Sequence, residues 1–267
     1  RFQISGRLMA AAGKETDLML EKEIRAVTYR HRDQTASILL RSSEEDRAAV
    51  GDMLLALSEA LETAAEDASV RAILITGEGN VFLRCSFEKG LCTADAGVLA
   101  AYRRYEAAWD AVKIPVVLAI NGDCVSLGMD LLLRADLAIA AETARFGYDD
   151  IGAGIFPAVS MAQAMKVLPK KKLLFYLYTG TLFGTQSAKE DGLVNAVAGA
   201  DELMQTAECW VQRLAGMPQQ IIRFGREAYN TMSALPKSEM SAYGASIQGQ
   251  IMAIQDTLNQ NKAEKKR

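Results

Sequence analysis

Pro115-Val-Val-Leu-Ala-Ile120-Asn-Gly-Asp-Cys-Val-Ser-Leu-Gly-Met-Asp130, continuing as Leu131-Leu-Leu-Arg-Ala-Asp136-Leu-Ala-Ile-Ala-Ala141, is the stretch that decides the architecture. Pro115–Ile120 is an apolar run of strand length, closed by the turn pair Asn121-Gly122. Ser126–Arg134 has helical spacing, and Asp136–Ala141 is a second apolar run. Two buried strands joined through a helix make a βαβ unit, which implies parallel pairing with both sheet faces covered. Ligands in such sheets bind beyond the carboxyl ends of the strands. Attention therefore falls on the residues that follow each strand, as far as Pro157.

The same alternation extends in both directions. Ile24–Arg30 and Thr35–Leu40 read as short strands around the charged turn His31-Arg32-Asp33, and Ser42–Glu66 reads as a helix with Val50, Met53, Leu54, Leu57 and Leu61 on one face. Arg71–Thr76 is a buried strand ended by Gly77-Glu78-Gly79-Asn80, followed by a loop over Phe82–Asp95 and a helix over Gly97–Ala111. Beyond the central stretch come a helix at Ala158–Val167, a helix–loop–short helix pattern from Lys170, and a strand at Leu193–Val197. After Ala200 the strand signal stops: Asp201–Met217, Gln219–Ser233 and Pro236–Lys262 are helical. The reading is an α/β fold with three parts: an extension over 1–20, an α/β core over 21–200 and a helical region over 201–267.

Composition narrows the chemistry. The chain has 267 residues, half of them hydrophobic, and a net charge of −3, so it carries no basic footprint for nucleic acid. No apolar run approaches the ~20 residues that span a bilayer, so no membrane partner is expected. Four cysteines without a CxxC pair, together with a single histidine, argue against a metal site and fit a reducing, cytoplasmic setting. His31 is expected at the surface. A histidine-dependent triad is thereby set aside, leaving carboxylates, hydroxyls, thiols and backbone amides.

Three segments gather those groups: Asn80-Val-Phe-Leu-Arg-Cys-Ser-Phe87, Ile120–Asp130, and Arg145-Phe-Gly-Tyr-Asp-Asp150 running on to Ile151-Gly-Ala-Gly-Ile-Phe-Pro157. A helix opening near Ser126 presents unpaired N–H groups and a partial positive charge. With an N–H from the 83–87 loop, it can hold a carbonyl oxygen from two sides. Such donors stabilise an enolate by ~3 kcal/mol each in a dry site.

In this order the segments resemble the crotonase (enoyl-CoA hydratase/isomerase) superfamily. The resemblance is carried also by Ala135-Asp-Leu-Ala-Ile-Ala-Ala-Glu-Thr-Ala-Arg-Phe-Gly147, Tyr178-Thr-Gly180 and Ala188-Lys-Glu-Asp-Gly-Leu-Val194, and it spans about residues 24–260. It implies a spiral of ββα units with a helical C-terminal trimerisation region, a homotrimer or dimer of trimers, and an acyl-CoA thioester as substrate. No cofactor is implied beyond the coenzyme A that the substrate carries. Residue by residue, it implies backbone oxyanion donors at Ser86 and Leu127 and acid/base carboxylates at Asp130 and Asp150, twenty positions apart. Arg84, Phe87, Gly128 and Tyr148 border these groups as the substrate-binding residues.

The chain departs from the family's pattern at both cradles. Arg84-Cys85-Ser86-Phe87 stands where small residues and an acid are usual, and Ser126-Leu127-Gly128 stands where three glycines are common. Both acids are Asp, one methylene shorter than the usual Glu, whereas proton transfer needs contacts of roughly 2.6–3.2 Å. The residues also admit plainer roles: Asp150 as a cap or as the partner of Arg145, and Asp130 as a first-turn acid favoured by the helix dipole. Cys85 and Cys124 read as inert thiols, Trp109 with Tyr102 and Tyr105 as a packing face, and Lys170–Lys172 as an exposed helix start. Two functions are carried forward. One is an enzyme that hydrates or isomerises an enoyl-CoA through an enolate; the other is a catalytically impaired relative that binds acyl-CoA or protein partners.

Overall fold

The computed structural model describes residues 20–41, 50–86, 91 and 95–264. It begins with the strands β1 (Leu20–Ile24), β2 (Val27–Arg32) and β3 (Thr35–Leu40), and the helix α1 (Val50–Glu66). Then follow β4 (Ala72–Gly77), β5 (Val81–Cys85), α2 (Ala96–Ala111), β6 (Val116–Ile120), β7 (Asp123–Ser126) and α3 (Leu127–Arg134). After β8 (Leu137–Ala141) and β9 (Arg145–Gly147) come a 3₁₀ turn at Asp150–Ala153, α4 (Ala158–Ala164), α5 (Lys170–Thr179), β10 (Phe183–Gly184), α6 (Thr185–Glu190) and β11 (Ala196–Ala198). Three helices close the chain: α7 (Ala200–Ala215), α8 (Gln219–Met232) and α9 (Lys237–Glu264).

The strands form two sheets. The larger has seven strands in the order β1-β2-β3-β4-β6-β8-β11, antiparallel as far as β3 and parallel from there on. The smaller has four, β10-β9-β7-β5, with β5, β7 and β9 parallel. Consecutive pairs β4/β5, β6/β7 and β8/β9 each place the first strand in the large sheet and the second in the small one. The chain thus winds forward one strand per turn in both sheets, which is the spiral of ββα units that the resemblance implies.

Alternation along the central strands explains why their sequence is apolar throughout. Ile73, Ile75, Val116, Leu118, Ile120, Ala138 and Ala140 face the main core, shared with Phe82, Leu83, Cys124 and Phe146 of the small sheet. Leu74, Val117, Ala119, Ile139 and Ala141 face the other way, against Leu203, Ala207 and Val211 of α7. A strand buried on both faces has no polar side to show.

The small sheet is where the structure departs from expectation. Phe82–Asp95 is not a loop from its start, and the helix does not begin at Ser126. β5 and β7 pair in parallel, Cys85 opposite Ser126, and that long-range ladder claims both segments. The connections into them are tight. A Cβ on Gly122 would lie 1.7 Å from the Asn80 carbonyl oxygen, so the turn admits no side chain there. Asn121 secures the crossing, accepting from Gly77 N–H at 3.0 Å and donating to Gly79 O at 2.8 Å.

Smaller corrections follow at the amino-terminal end. The expected strand Ile24–Arg30 is two strands hinged at Arg25, whose φ is 46°. Leu20 belongs to β1, so the extension expected over 1–20 gives way there, and residues 1–19 lie outside the described residues. His31 is half-buried rather than on the surface, with Nδ1 3.2 Å from Asp67 and Nε2 2.9 Å from the Asp33 carbonyl oxygen. At the other end α8 is anchored by Arg226, which donates to Asp136 at 2.9 Å and to the Val112 carbonyl. No described helix is long and apolar enough to cross a membrane.

Candidate active site

The site is built on the ends of β5 and β7 and on the 3₁₀ turn after β9. Because Cys85 and Ser126 are register partners on parallel strands, Ser86 and Leu127 leave neighbouring strands about 4.8 Å apart. Leu127 opens α3, where backbone N–H groups have no partner inside the helix. The two residues expected to give oxyanion N–H groups therefore follow neighbouring strands at the carboxyl edge of the small sheet. The Leu127 side chain has no exposed surface and belongs to the main core, so its branched group is turned into the protein.

Asp150 is 3% exposed, and both of its carboxylate oxygens are engaged. Ser126 Oγ donates to Oδ2 at 2.5 Å, and Ser86 Oγ donates to Oδ1. The carboxylate neither caps the following turn nor pairs with Arg145, which instead grips Asp123 through Nε at 2.8 Å and Nη2 at 2.7 Å. Asp149 takes Arg84, with Nη2 to Oδ2 at 2.6 Å, and Arg84 Nη1 reaches on to Asp123 at 3.3 Å. The rim above Asp150 is thus a chain of ion pairs, Arg145–Asp123–Arg84–Asp149. Arg84 is committed to protein carboxylates there.

Asp130 stands apart from this group. It has no exposed surface, and its Oδ2 accepts from Tyr105 Oη at 2.7 Å and from Arg134 Nε at 2.7 Å. The Arg134 guanidinium lies 5.4 Å from the Tyr105 ring centroid. Burial acts against the Arg134 charge, but the Asp130 carboxylate together with the Tyr105 and Tyr102 phenols holds the guanidinium pKa above its usual value. Burial first, and then the Asp130 charge, push the Tyr105 phenol well above the ordinary tyrosine range. Among the described residues, Asp130 Oδ1 accepts no hydrogen bond.

The expected substrate-binding residues divide. Arg84 lies on the rim. Gly128 packs inward: a Cβ there would come 2.4 Å from the Leu83 carbonyl oxygen, so its bareness lets α3 cross β5. Tyr148 has no exposed surface and packs in the main core, as Leu127 does. Phe87 lies outside the described residues. Burial pushes the Cys124 thiol well up, in keeping with an inert role, and no group of three metal-ligating side chains occurs among the described residues.

Sequence reasoning missed the Ser126 side chain. Its backbone has φ 54° and ψ −102°, a conformation rare for a residue with a Cβ. The available signal was a serine in a place where the family's pattern favours glycine.

Comparisons with known proteins agree with this architecture. The family profile described as enoyl-CoA hydratase/isomerase matches residues 32–266. A crotonyl-CoA hydratase of Syntrophomonas wolfei is 27% identical over 221 residues, covering 80% of this chain and 81% of that protein. The mitochondrial enoyl-CoA hydratase domain-containing protein 3 of Rattus norvegicus is 24% identical over 246 residues, covering 86% and 78%. Among solved structures, an enoyl-CoA hydratase subunit of Geobacillus kaustophilus superposes with a TM-score of 0.77 at 24% identity, covering 91% of this chain and 95% of that one.

Proposed function

The chain belongs to the enoyl-CoA hydratase/isomerase family of the crotonase superfamily, and from that premise we propose that it shifts a double bond in an acyl-CoA thioester, with Asp150 carrying the proton. The observation behind this reading is the unequal fate of the two acids. Asp150 is held at the oxyanion edge by two hydroxyls, whereas Asp130 is bound into an ion pair with Arg134. Isomerisation needs one carboxylate that is not bound in an ion pair; hydration, as two acids perform it, needs both.

The thioester carbonyl oxygen accepts from the Ser86 and Leu127 N–H groups. Asp150 removes a proton from the α-carbon of a β,γ-unsaturated thioester, and the electron pair passes into the dienolate, with charge on the held oxygen. Asp150 then returns the proton to the γ-carbon, leaving the double bond between the α- and β-carbons. Two oxyanion donors at ~3 kcal/mol each supply much of the required stabilisation. The reaction needs no cofactor beyond the coenzyme A of the substrate. Assembly into trimers, or dimers of trimers, is supported by exposed apolar side chains on the last two helices, such as Tyr229 and Met252.

Hydration is the second reading, favoured by the Oδ1 of Asp130, which has no partner among the described residues and leaves an acceptor for a water. A panel of 3-enoyl and 2-enoyl thioesters separates the two by gain or loss of conjugated absorbance. Gain from the 3-enoyl substrate, lost by about a hundredfold or more in Asp150→Asn, is the expected result. Full activity in that variant removes Asp150 from the mechanism. Thioester binding without turnover of either substrate class establishes the impaired, binding-only relative instead.

A further inference from the structure

Ser126 carries more than a positioning hydroxyl. It sits where β7 turns sharply into α3, at a positive φ that a Cβ disfavours, and 99% of its surface is covered. Strain of this kind persists where the surrounding structure imposes it, and it clusters at functional sites. A serine raised on a strained strand-to-helix turn, followed by a residue whose N–H serves as an oxyanion donor, is the arrangement of a nucleophile elbow. Cys124-Val125-Ser126-Leu127-Gly128 keeps the serine and the second glycine of that G-x-S-x-G form, with Cys124 in place of the first glycine. Gly128, bare against the Leu83 carbonyl, supplies the close helix–strand crossing that such a turn needs.

A nucleophile also requires a base within hydrogen-bond reach and a third group orienting the base. Asp150 Oδ2 is 2.5 Å from Ser126 Oγ, and Ser86 Oγ holds the other carboxylate oxygen. The chain's single histidine is on β2, paired with Asp67, so the base here is a carboxylate. In a nucleophile elbow, a carbonyl oxygen held by the N–H that follows the nucleophile has its carbon beside the nucleophile's hydroxyl.

We propose that Ser126 is an acyl-accepting nucleophile and that the same site hydrolyses acyl-CoA thioesters. The inference rests on the thioester-binding part of the reading above and not on double-bond migration. Ser126 Oγ bonds to the thioester carbonyl carbon while its proton passes to Asp150. The tetrahedral adduct collapses, the carbon–sulfur bond breaks, and Asp150 gives its proton to the departing thiolate as free coenzyme A. Water then attacks the serine ester, its proton going to Asp150 and on to Ser126 Oγ, releasing the carboxylic acid.

Saturated acyl-CoA substrates isolate this activity, because they contain no double bond to migrate. The full chain is incubated with them and free coenzyme A is separated and quantified; a fluorophosphonate probe is applied in parallel and the labelled peptide is mapped. Coenzyme A release together with labelling at Ser126 is expected, with release lowered more than about a hundredfold in Ser126→Gly. Glycine accepts the positive φ without strain, so this variant removes the hydroxyl and keeps the fold. Wild-type release in Ser126→Gly overturns the proposal. So does binding of a non-hydrolysable thioether analogue with neither release nor labelling. Failure to bind the analogue overturns both this proposal and the thioester reading, whereas release without double-bond migration of a 3-enoyl substrate overturns only the isomerase.

Discussion

Arg134 Nε lies 2.7 Å from Asp130 Oδ2, one turn further along α3, and Asp130 has no contact with solvent. A carboxylate so deep is tolerable because the guanidinium and the Tyr105 hydroxyl answer it. Removing the cation leaves an uncompensated buried charge. Arg134→Met is therefore expected to destabilise the protein by about 3 kcal/mol, and Asp130→Leu combined with Arg134→Met by clearly less than the sum of the singles. Urea unfolding of the four proteins in this cycle measures the coupling. Additive losses would show that the pair does not act as a unit.

The same pair marks how far the sequence could be read. Asp130 was legible as an acid in a first helical turn, and the strand–helix alternation pointed to the parallel part of the large sheet. The ion-pair partner of Asp130, Arg134, stands one turn along the same helix, but the second partner was not legible, because Tyr105 lies on α2 and is brought in only by tertiary packing. β5 and β7 were hidden for a related reason. Each is short and lacks a clean alternating pattern, and each is a strand because it pairs with the other across some forty residues of chain. Ser86 and Ser126 were placed through their backbones, yet their hydroxyls converge on Asp150 from two different strand ends. Convergence of that kind is set by register, which local spacing does not encode.

Gly128 offers a direct test of packing against ligand approach. A methyl group there would stand 2.4 Å from the Leu83 carbonyl oxygen, a backbone atom with little freedom to retreat. Gly128→Ala should force α3 away from β5 and destabilise by about 2 kcal/mol, visible as a lowered midpoint in chemical unfolding. A variant of unchanged stability that loses thioester binding would instead assign the glycine to the ligand.

Alkaline pH should weaken the fold through its buried phenols. Burial, helped by the nearby Asp67 charge, pushes Tyr29 from the ordinary 10.0 up to about 12. Burial and a hydrogen bond to Asp191 raise Tyr176 to about 12 as well. Between those values the unfolded chain has released its phenolic protons while the folded one retains them. Protons bound are then fewer in the unfolded state, and stability falls as pH rises. It is fully present below pH 10 and declines toward pH 12. Unfolding midpoints measured across that window should show the slope. Tyr29→Phe should flatten it at little cost near neutrality, since the Tyr29 hydroxyl has no hydrogen-bond partner among the described residues.

Ser86 separates what a residue does through its backbone from what it does through its side chain. Its N–H is the proposed oxyanion donor, while its hydroxyl donates to Asp150 Oδ1, the oxygen that Ser126 leaves uncovered. Ser86→Ala keeps the first and removes the second. A hydrogen bond to a charged acceptor contributes about 1.5–3 kcal/mol, so a carboxylate that turns away from its working orientation should lower kcat about tenfold or more. KM should change little, because the carbonyl grip survives. Ser86→Thr restores a hydroxyl at the same atom and should recover most of the rate. Steady-state kinetics on a 3-enoyl thioester distinguish the outcomes. If KM rises while kcat holds, the side chain serves substrate binding and not the orientation of Asp150.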